Sequence, residues 1–334
     1  MSAEIPLLRV SGSHSDVGRQ IGEATAATIR RFAAQPFDAA LVEAYRSVAS
    51  EHLPWAVEEI DAVAEAAGVD PLAAFAASVE ELVGTPAATG CTDLVALGEA
   101  SADGHVLVAH NNDLDAADEE DLVAIEWRVD DEPTLFTLGN GCWLSVGWND
   151  AGLSVTGNEL TPNDERIGVP RLLQMRDVVR QRTLTDALES ILHPARASSY
   201  NWVLAHASGE ALNVEGSATA VGESAPENGT LTHANHYEHR RMTAFEGRAR
   251  TDDSATRSCR AADLLAAREG PVTTDDLRAI LADHEHAPDS LCRHTDADNV
   301  KTVFWCVADV TAGEIAYGRG NPCSSTTQTY RFGA

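Results

Sequence analysis

The apolar positions of the first quarter of the chain recur at helical spacing. SHSDVGRQIGEATAATIRRFAAQ opens on Ser and Asp, residues that cap helices, and then carries its apolar side chains three to four residues apart. PWAVEEIDAVAEAAGV continues that period. DPLAAFAASVEELV places Asp70 as a cap and Pro71 at the first helical position, so residues 14–83 read as helical. The period then changes. From Cys91 onward come short alternating runs, TDLVALGEA, HVLVAHN, LVAIEWRV, PTLFTLG, WLSVGWND and GLSVTGN, punctuated by ADG, DDEP and NDAG. PRLLQMRDVVRQ and LTDALESILHP return to helical spacing. YNWVLAHA, EALNVEGSATAV and TLTHANH read as strands, SCRAADLLAAREG and TTDDLRAILADH as helices. KTVFWCVADV with GEIAYGRG forms a closing hairpin. Blocks of helices alternating with blocks of strands predict an α+β unit whose antiparallel sheets carry helices on their outer faces. The break at 90/91 separates structure types inside one unit of residues 1–334; its composition is not that of a linker.

Charge changes this picture more than composition does. With 44% hydrophobic and 23% charged residues, a chain of 334 can bury a large core. The net charge of −28 is spread through the sequence, and Lys301 is the sole lysine. A uniform acidic skin of this kind predicts adaptation to high salt, where screening relieves self-repulsion. It argues against a nucleic-acid partner, which needs the opposite sign. No apolar run reaches the ~18 residues of a membrane span. MSAEIPLLRVSGSHSD lacks the layout of a secretion signal, so the expected location is cytoplasmic. The six cysteines (Cys91, Cys142, Cys259, Cys292, Cys306 and Cys323) form no CxxC pair, which predicts free thiols.

Among them Cys91 has a distinctive address, directly after Gly90 where helix gives way to strand. A thiol with an ordinary pKa near 8.5 needs activation, and a cysteine that became a chain terminus could use its own α-amine, which titrates near 7.7–8.0. Gly90, lacking Cβ, tolerates strained backbone and leaves its carbonyl open to the next residue's thiol. Attack, thioester and hydrolysis would yield residues 1–90 and 91–334. The dipeptide alone is a weak signal and favours an ordinary buried cysteine opening a strand.

The surrounding motifs decide between these. SGSHSDVGRQIGEATAATI, GCTD, AHNNDLD, GLSVTGN, GVPRLLQMRDVV, SSYNWVLAHASGEALNVEGS, LTHANHY, SLCRH, KTVFWCVADV and GRGNPCSSTTQTY follow one another in order along most of the chain. In that order they resemble the isopenicillin N acyltransferase family, the acyl-coenzyme A:6-aminopenicillanic acid acyltransferases, of the N-terminal-nucleophile hydrolases. The resemblance implies a four-layer αββα sandwich with antiparallel sheets and autocatalytic cleavage at Gly90–Cys91. It further implies a helical segment 1–90 that stays associated with a catalytic segment 91–334. The substrate it implies is a small N-acyl amide, with an acyl-CoA or an amine as possible second substrate, and no cofactor or metal. Carried over by position, Cys91 is the nucleophile and its freed amine the base. Asp113 orients the amine or thiol, and Asn235 donates its amide to the oxyanion. Thr92, Asn111, Asn112, His233 and Thr302 flank these positions in the same motifs. The penultimate strand departs from the family, with Lys301-Thr302 where an arginine is expected. Lys301 enters as a candidate catalytic cation on that basis, although an ammonium cannot reproduce a guanidinium fork.

Competing constellations are weaker. His233, His236 and His239, and His284, His286 and His294 with Cys292, cluster in sequence. Their spacing is not that of two ligands on one helix face, so no metal is expected. A Cys–His pair would also use Cys91 and would need no cleavage. In the bile-salt and penicillin V hydrolase branch the cysteine directly follows the initiator methionine, whereas here a long segment precedes it. Cys142, in GNGCWLSVG, also follows a glycine but lies between two strands. From a different class, a non-catalytic binding or assembly protein could keep this fold without the activity.

Overall fold

The computed structural model describes residues 4–83, 90–295 and 298–333. Residues 84–89, the run just before the expected cleavage point, lie outside the described residues. A first strand, β1 (Leu7–Gly12), leads into α1 (His14–Ala24), α2 (Ala26–Ala33), α3 (Ala39–His52), α4 (Pro54–Ala67), α5 (Pro71–Ala76) and α6 (Glu80–Val83). The strands that follow are β2 (Gly90–Ala96), β3 (Leu107–Asp115), β4 (Leu122–Val129), β5 (Leu135–Asn140), β6 (Trp143–Asn149) and β7 (Leu153–Asn158). Next come α7 (Arg171–Val179) and α8 (Leu184–Ile191), then β8 (Asn201–His206), β9 (Glu210–Gly216), β10 (Val221–Ser224) and β11 (Thr230–His233). The chain closes with α9 (Asp252–Ala266), α10 (Thr274–Leu281), β12 (Val300–Asp309), β13 (Glu314–Arg319) and β14 (Gln328–Arg331).

Local chemistry sets the helix ends. Ser13 and Asp16 form a reciprocal capping box at the start of α1. The Asp70 carboxylate accepts from the Leu72 and Ala73 amides, as its position before Pro71 predicts. Gly18 and Gly22 let α1 lie against α4, since a Cβ on either would come within 2.4 Å of a backbone carbonyl there.

Two sheets lie at the centre. One runs β1-β4-β5-β6-β7-β8-β9-β10, the other β11-β2-β3-β12-β13-β14. Every pair is antiparallel except β1 with β4. The apolar clusters define the layers. Trp127, Trp202 and Val155 face the helices α1, α4, α7 and α8. Phe136, Trp148, Phe304 and Tyr317 fill the space between the sheets. Leu94, Ala109, Trp305 and Val307 meet α9 and α10 on the far side. This is a four-layer αββα sandwich, the arrangement the block pattern and the family resemblance predict. Each of these large buried side chains contributes about 1.5–3 kcal/mol. Among the described residues no helix is long and apolar enough to cross a membrane.

Three elements escape the pattern reading. β1 is short and pairs with β4, more than a hundred residues later, so its partner is invisible locally. β14 is a four-residue edge strand. EALNVEGSATAV, read as one strand, folds back as β9 and β10, with Ser217 accepting the turn amides of Thr219 and Ala220.

Candidate active site

Cys91 is the second residue of β2 and pairs with Asn112 of β3, while Gly90 pairs with Asp113. Alternation on a strand then sends Cys91, Asp93, His110 and Asn112 to the inner face, between the sheets, and Thr92, Asn111 and Asp113 to the outer face, under the helices. Cys91 is 8% exposed. The Asn112 amide approaches its sulfur at 3.8 Å. His110 holds the Asp93 carboxylate through Nδ1 at 2.9 Å, with both side chains fully buried. Burial alone would lower this imidazole. The Asp93 carboxylate overcomes that, and with the Cys91 sulfur as a further partner His110 is pushed up to about 10. His110 is therefore an imidazolium at neutral pH.

The backbone nitrogen of Cys91 is held as closely as its sulfur. It donates to Asn235 Oδ1 at 2.7 Å. The same oxygen accepts from Arg257 Nη2 at 2.9 Å, and two donors on one atom fix which end of the Asn235 amide faces Cys91. Arg257, fully buried on α9, also donates through Nη1 to the Cys91 carbonyl and, at 3.0 Å, to Thr92 Oγ1. Asn235 sits in the loop after β11. Its backbone N–H donates to Ser254 Oγ at 2.6 Å, and its Nδ2 to the Glu159 carbonyl at 3.1 Å. Gly90 is required here for space. A Cβ would stand 2.6 Å from Arg257 Nη2 and 3.0 Å from Asn235 Oδ1. Its backbone is ordinary extended strand, so the expected conformational strain is absent.

Asp113 is fully buried on the outer face, and its Oδ1 accepts from Thr302 Oγ1 at 2.7 Å. Burial raises this carboxyl, opposed by the positive charges of Arg257, then Arg293. Among the described residues it makes no hydrogen bond to Cys91. Asn111 is committed elsewhere, donating to the Leu281 and Leu291 carbonyls that hold the α10 end against β3. Lys301 requires a correction. It pairs with Leu114, one place along from the Thr302–Asp113 pair, and its Nζ bonds Glu119 in the turn after β3. Its ammonium is engaged there, and the positive charges acting on Asp113 are those of Arg257 and then Arg293.

A polar cluster continues the inner face. His233 Nδ1 lies 3.0 Å from Asn158 Oδ1, and its Nε2 lies 3.1 Å from Glu215. Asn201 also donates to Asn158 Oδ1. Asn158 is fully buried, ends β7 where that strand meets β2, and has an amide nitrogen without a hydrogen-bond partner. His236 is near Ser254, and His239 belongs to the loop that caps Glu215, so the 233–239 histidines do not converge on a metal.

The structure thus gathers Cys91, Thr92, Asn112, Asn235 and His233 around the Gly90–Cys91 bond, with Asp113 and Thr302 just beneath the strand. The sequence reading missed Asp93, His110, Asn158 and Arg257. Three of the four lie in quoted motifs (GCTD, AHNNDLD, GLSVTGN), and strand alternation from Cys91 could have selected Asp93. Arg257 carries no sequence signal.

Comparison with known proteins finds partial similarity to several solved structures. A variant of the conjugated bile acid hydrolase of Clostridium perfringens superposes with a TM-score of 0.50 at 13% identity, covering 72% of this chain and 97% of that one. Penicillin V acylase of Agrobacterium tumefaciens gives 0.49 at 14% identity over 72% and 86%. The Caenorhabditis elegans ortholog of N-acylethanolamine-hydrolyzing acid amidase gives 0.46 at 14% over 66% and 93%. No curated protein matches the sequence closely enough to count as a relative. The sequence family described as acyl-coenzyme A:6-aminopenicillanic acid acyl-transferase matches residues 100–323, a span that begins just after Cys91. With the greater part of its length inside that match and an αββα sandwich around it, the chain belongs to the acyl-coenzyme A:6-aminopenicillanic acid acyl-transferase family.

Proposed function

We propose that this protein is a precursor that cuts itself between Gly90 and Cys91 and then acts as a cysteine N-terminal-nucleophile amidohydrolase or acyltransferase on a small N-acyl amide. The observation that carries this reading is the grip on both reactive atoms of Cys91. Its nitrogen is bound by Asn235 at 2.7 Å, and its sulfur lies beside Asn112 and the charged His110. An ordinary structural cysteine needs neither.

In processing, Sγ adds to the Gly90 carbonyl and the C–N bond breaks. The thiol proton ends on the departing nitrogen, now the Cys91 amine, and water hydrolyses the thioester to a Gly90 carboxylate. In turnover the amine takes the thiol proton as Sγ attacks the substrate carbonyl, and passes it to the leaving amine. Water, or a second amine, then takes the acyl group. Asn235 Oδ1 keeps the amine oriented, and Arg257 keeps Asn235 oriented. The unpartnered Asn158 amide is the best-placed donor for the oxyanion, a contribution of about 3 kcal/mol. Asp113 supports Arg257 from below the strand. Residues 1–90 would stay attached, because β1 is a strand of the larger sheet and α1 and α4 cover its outer face.

The Asp93–His110 pair favours a second reading, in which His110 is the base for Cys91 and no cleavage occurs. The hold of Asn235 on the Cys91 nitrogen, which that reading leaves without a use, favours cleavage instead. The test is intact mass after expression in high salt. Two fragments meeting at 90/91, absent from a Cys91→Ala control, are expected. A single full-length species identical in both would overturn the reading, and rapid labelling of one thiol among the six separates an enzyme from a binding protein.

A further inference from the structure

Away from Cys91, four side chains from three separate segments converge. His284 follows α10, Cys292 and His294 lie in the loop before β12, and Cys323 lies in the turn between β13 and β14. Their ligating atoms all fall within 4.8 Å of one another. The two sulfurs are 3.7 Å apart, well beyond a bonded pair. His294 Nε2 lies 3.9 Å from the Cys292 sulfur, 3.6 Å from the Cys323 sulfur and 3.0 Å from His284 Nε2.

These four separations, of the six that four ligand atoms define, are close to the edges of a tetrahedron, and the remaining two lie within 4.8 Å. Zinc binds sulfur at about 2.3 Å and imidazole nitrogen at about 2.0–2.1 Å, which in tetrahedral geometry gives S···S of about 3.8 Å, S···N of about 3.5 Å and N···N of about 3.3 Å. The donor set selects the ion as well. Two soft sulfurs and two imidazoles suit zinc, whereas magnesium and calcium require oxygen. A neighbouring side chain also reaches the group: Asn321 Nδ2 lies 3.5 Å from the Cys292 sulfur. His286, one of the histidines that cluster in sequence, is not part of the group.

We propose that His284, Cys292, His294 and Cys323 form a closed, structural zinc site that clips the 284–294 loop to the β13–β14 turn. Four protein ligands leave no open position, so the ion would hold the fold and take no part in amide chemistry. What it would hold is specific. Arg293 stands between two of the ligands; its N–H donates to Thr302 Oγ1 at 3.0 Å, its carbonyl accepts from Thr302 N at 2.9 Å, and Thr302 in turn bonds Asp113. Asn321 Nδ2 also donates to the Arg293 carbonyl, at 2.6 Å. The clip would thus fix the support beneath the Gly90–Cys91 bond. The inference rests on ligand geometry alone and stands whether or not that bond is cut.

The test is the metal content of the full chain, expressed with zinc and dialysed in high salt. About one zinc per chain is expected, falling to background in the Cys292→Ser/Cys323→Ser double variant and sharply reduced in His284→Ala, whose exposed side chain can be removed without opening the core. Cobalt loading should give sulfur-to-cobalt charge-transfer absorption and the strong visible bands of a tetrahedral site, a readout on the native protein that needs no variant to fold. A chelator should lower Tm for the native protein and leave the double variant's Tm unchanged. Native protein with no more zinc than the double variant, or a Cys292–Cys323 disulfide found on non-reducing alkylation of fresh protein, would overturn the proposal.

Discussion

Two cysteines in this chain follow a glycine, and their surroundings share almost nothing. Cys142 lies with Gly141 in the turn joining β5 to β6, where Gly141 takes a φ of 63° that only glycine adopts easily. The cavity beside it is lined by Ile21, Val63, Trp143 and Leu144 together with the Glu59–Arg176 ion pair, and burial, then the Glu59 charge, pushes its thiol up to about 12. Cys91 is the more deeply buried of the two and lies in an extended strand, among Asn112, His110 and the Asn235–Arg257 pair. Burial against apolar atoms keeps a thiol protonated and inert. Cys91 is instead surrounded by oriented polar groups, with Asn112 at its sulfur and Asn235 at its nitrogen. The dipeptide is the same in both places; the second neighbours across the sheet make the difference.

The sharpest way to break this comparison is to remove each sulfur in turn. Cys91→Ala is expected to remain one full-length chain with amidase activity at background, whereas Cys142→Ala should process and turn over like the native protein. Intact mass and a panel of N-acyl amides read both, and equal behaviour of the two variants would end the distinction. Next in size is the charge beside the sulfur. His110→Asn should cut kcat by about 10²–10³. It should also change the pH dependence of stability. His110 is raised from 6.5 to about 10 by its buried partner, so its contribution is complete below pH 6.5 and is lost progressively as pH rises to about 10. Denaturant titrations should show the native protein losing stability across that window and the variant losing less. A smaller effect is expected from Gly90→Ala, where the new methyl meets an Arg257 held by several hydrogen bonds. Overpacking of about 1–3 kcal/mol should slow fragment formation roughly 10- to 100-fold with little change in overall fold by circular dichroism. Smallest of all is Lys301→Ala, which removes the pair with Glu119. Activity within about twofold of native and a stability loss below about 1 kcal/mol are expected, and a large drop in kcat would return Lys301 to the site.

Much of the architecture was legible because periodicity is local. Helical spacing before residue 84 and alternation after residue 90 identified nearly every long element, and turn residues marked their ends. β1 was lost because its partner β4 lies more than a hundred residues away, and β14 because four residues are too few to show a period. Motif order is what singles out Cys91, Asp113 and Asn235 as candidates. The function assigned to Asn235 changed once its amide was seen with the oxygen toward Cys91 and the nitrogen on Glu159. Lys301 looked catalytic from rarity and position, yet its ammonium is engaged by Glu119 in the turn after β3.

The sequence by itself determined the block order of helices and strands, the acidic surface, the absence of paired CxxC thiols and the place where helix gives way to Gly90–Cys91. These follow from residue type and near spacing, which act over a few residues. Only the tertiary structure decided that Arg257 from α9 reaches the Cys91 carbonyl, that His110 is charged, and that Cys323 meets His284, Cys292 and His294. Each of those depends on side chains far apart in sequence sharing a buried volume, and hydrogen bonds, desolvation and ligand geometry are set by distance in space.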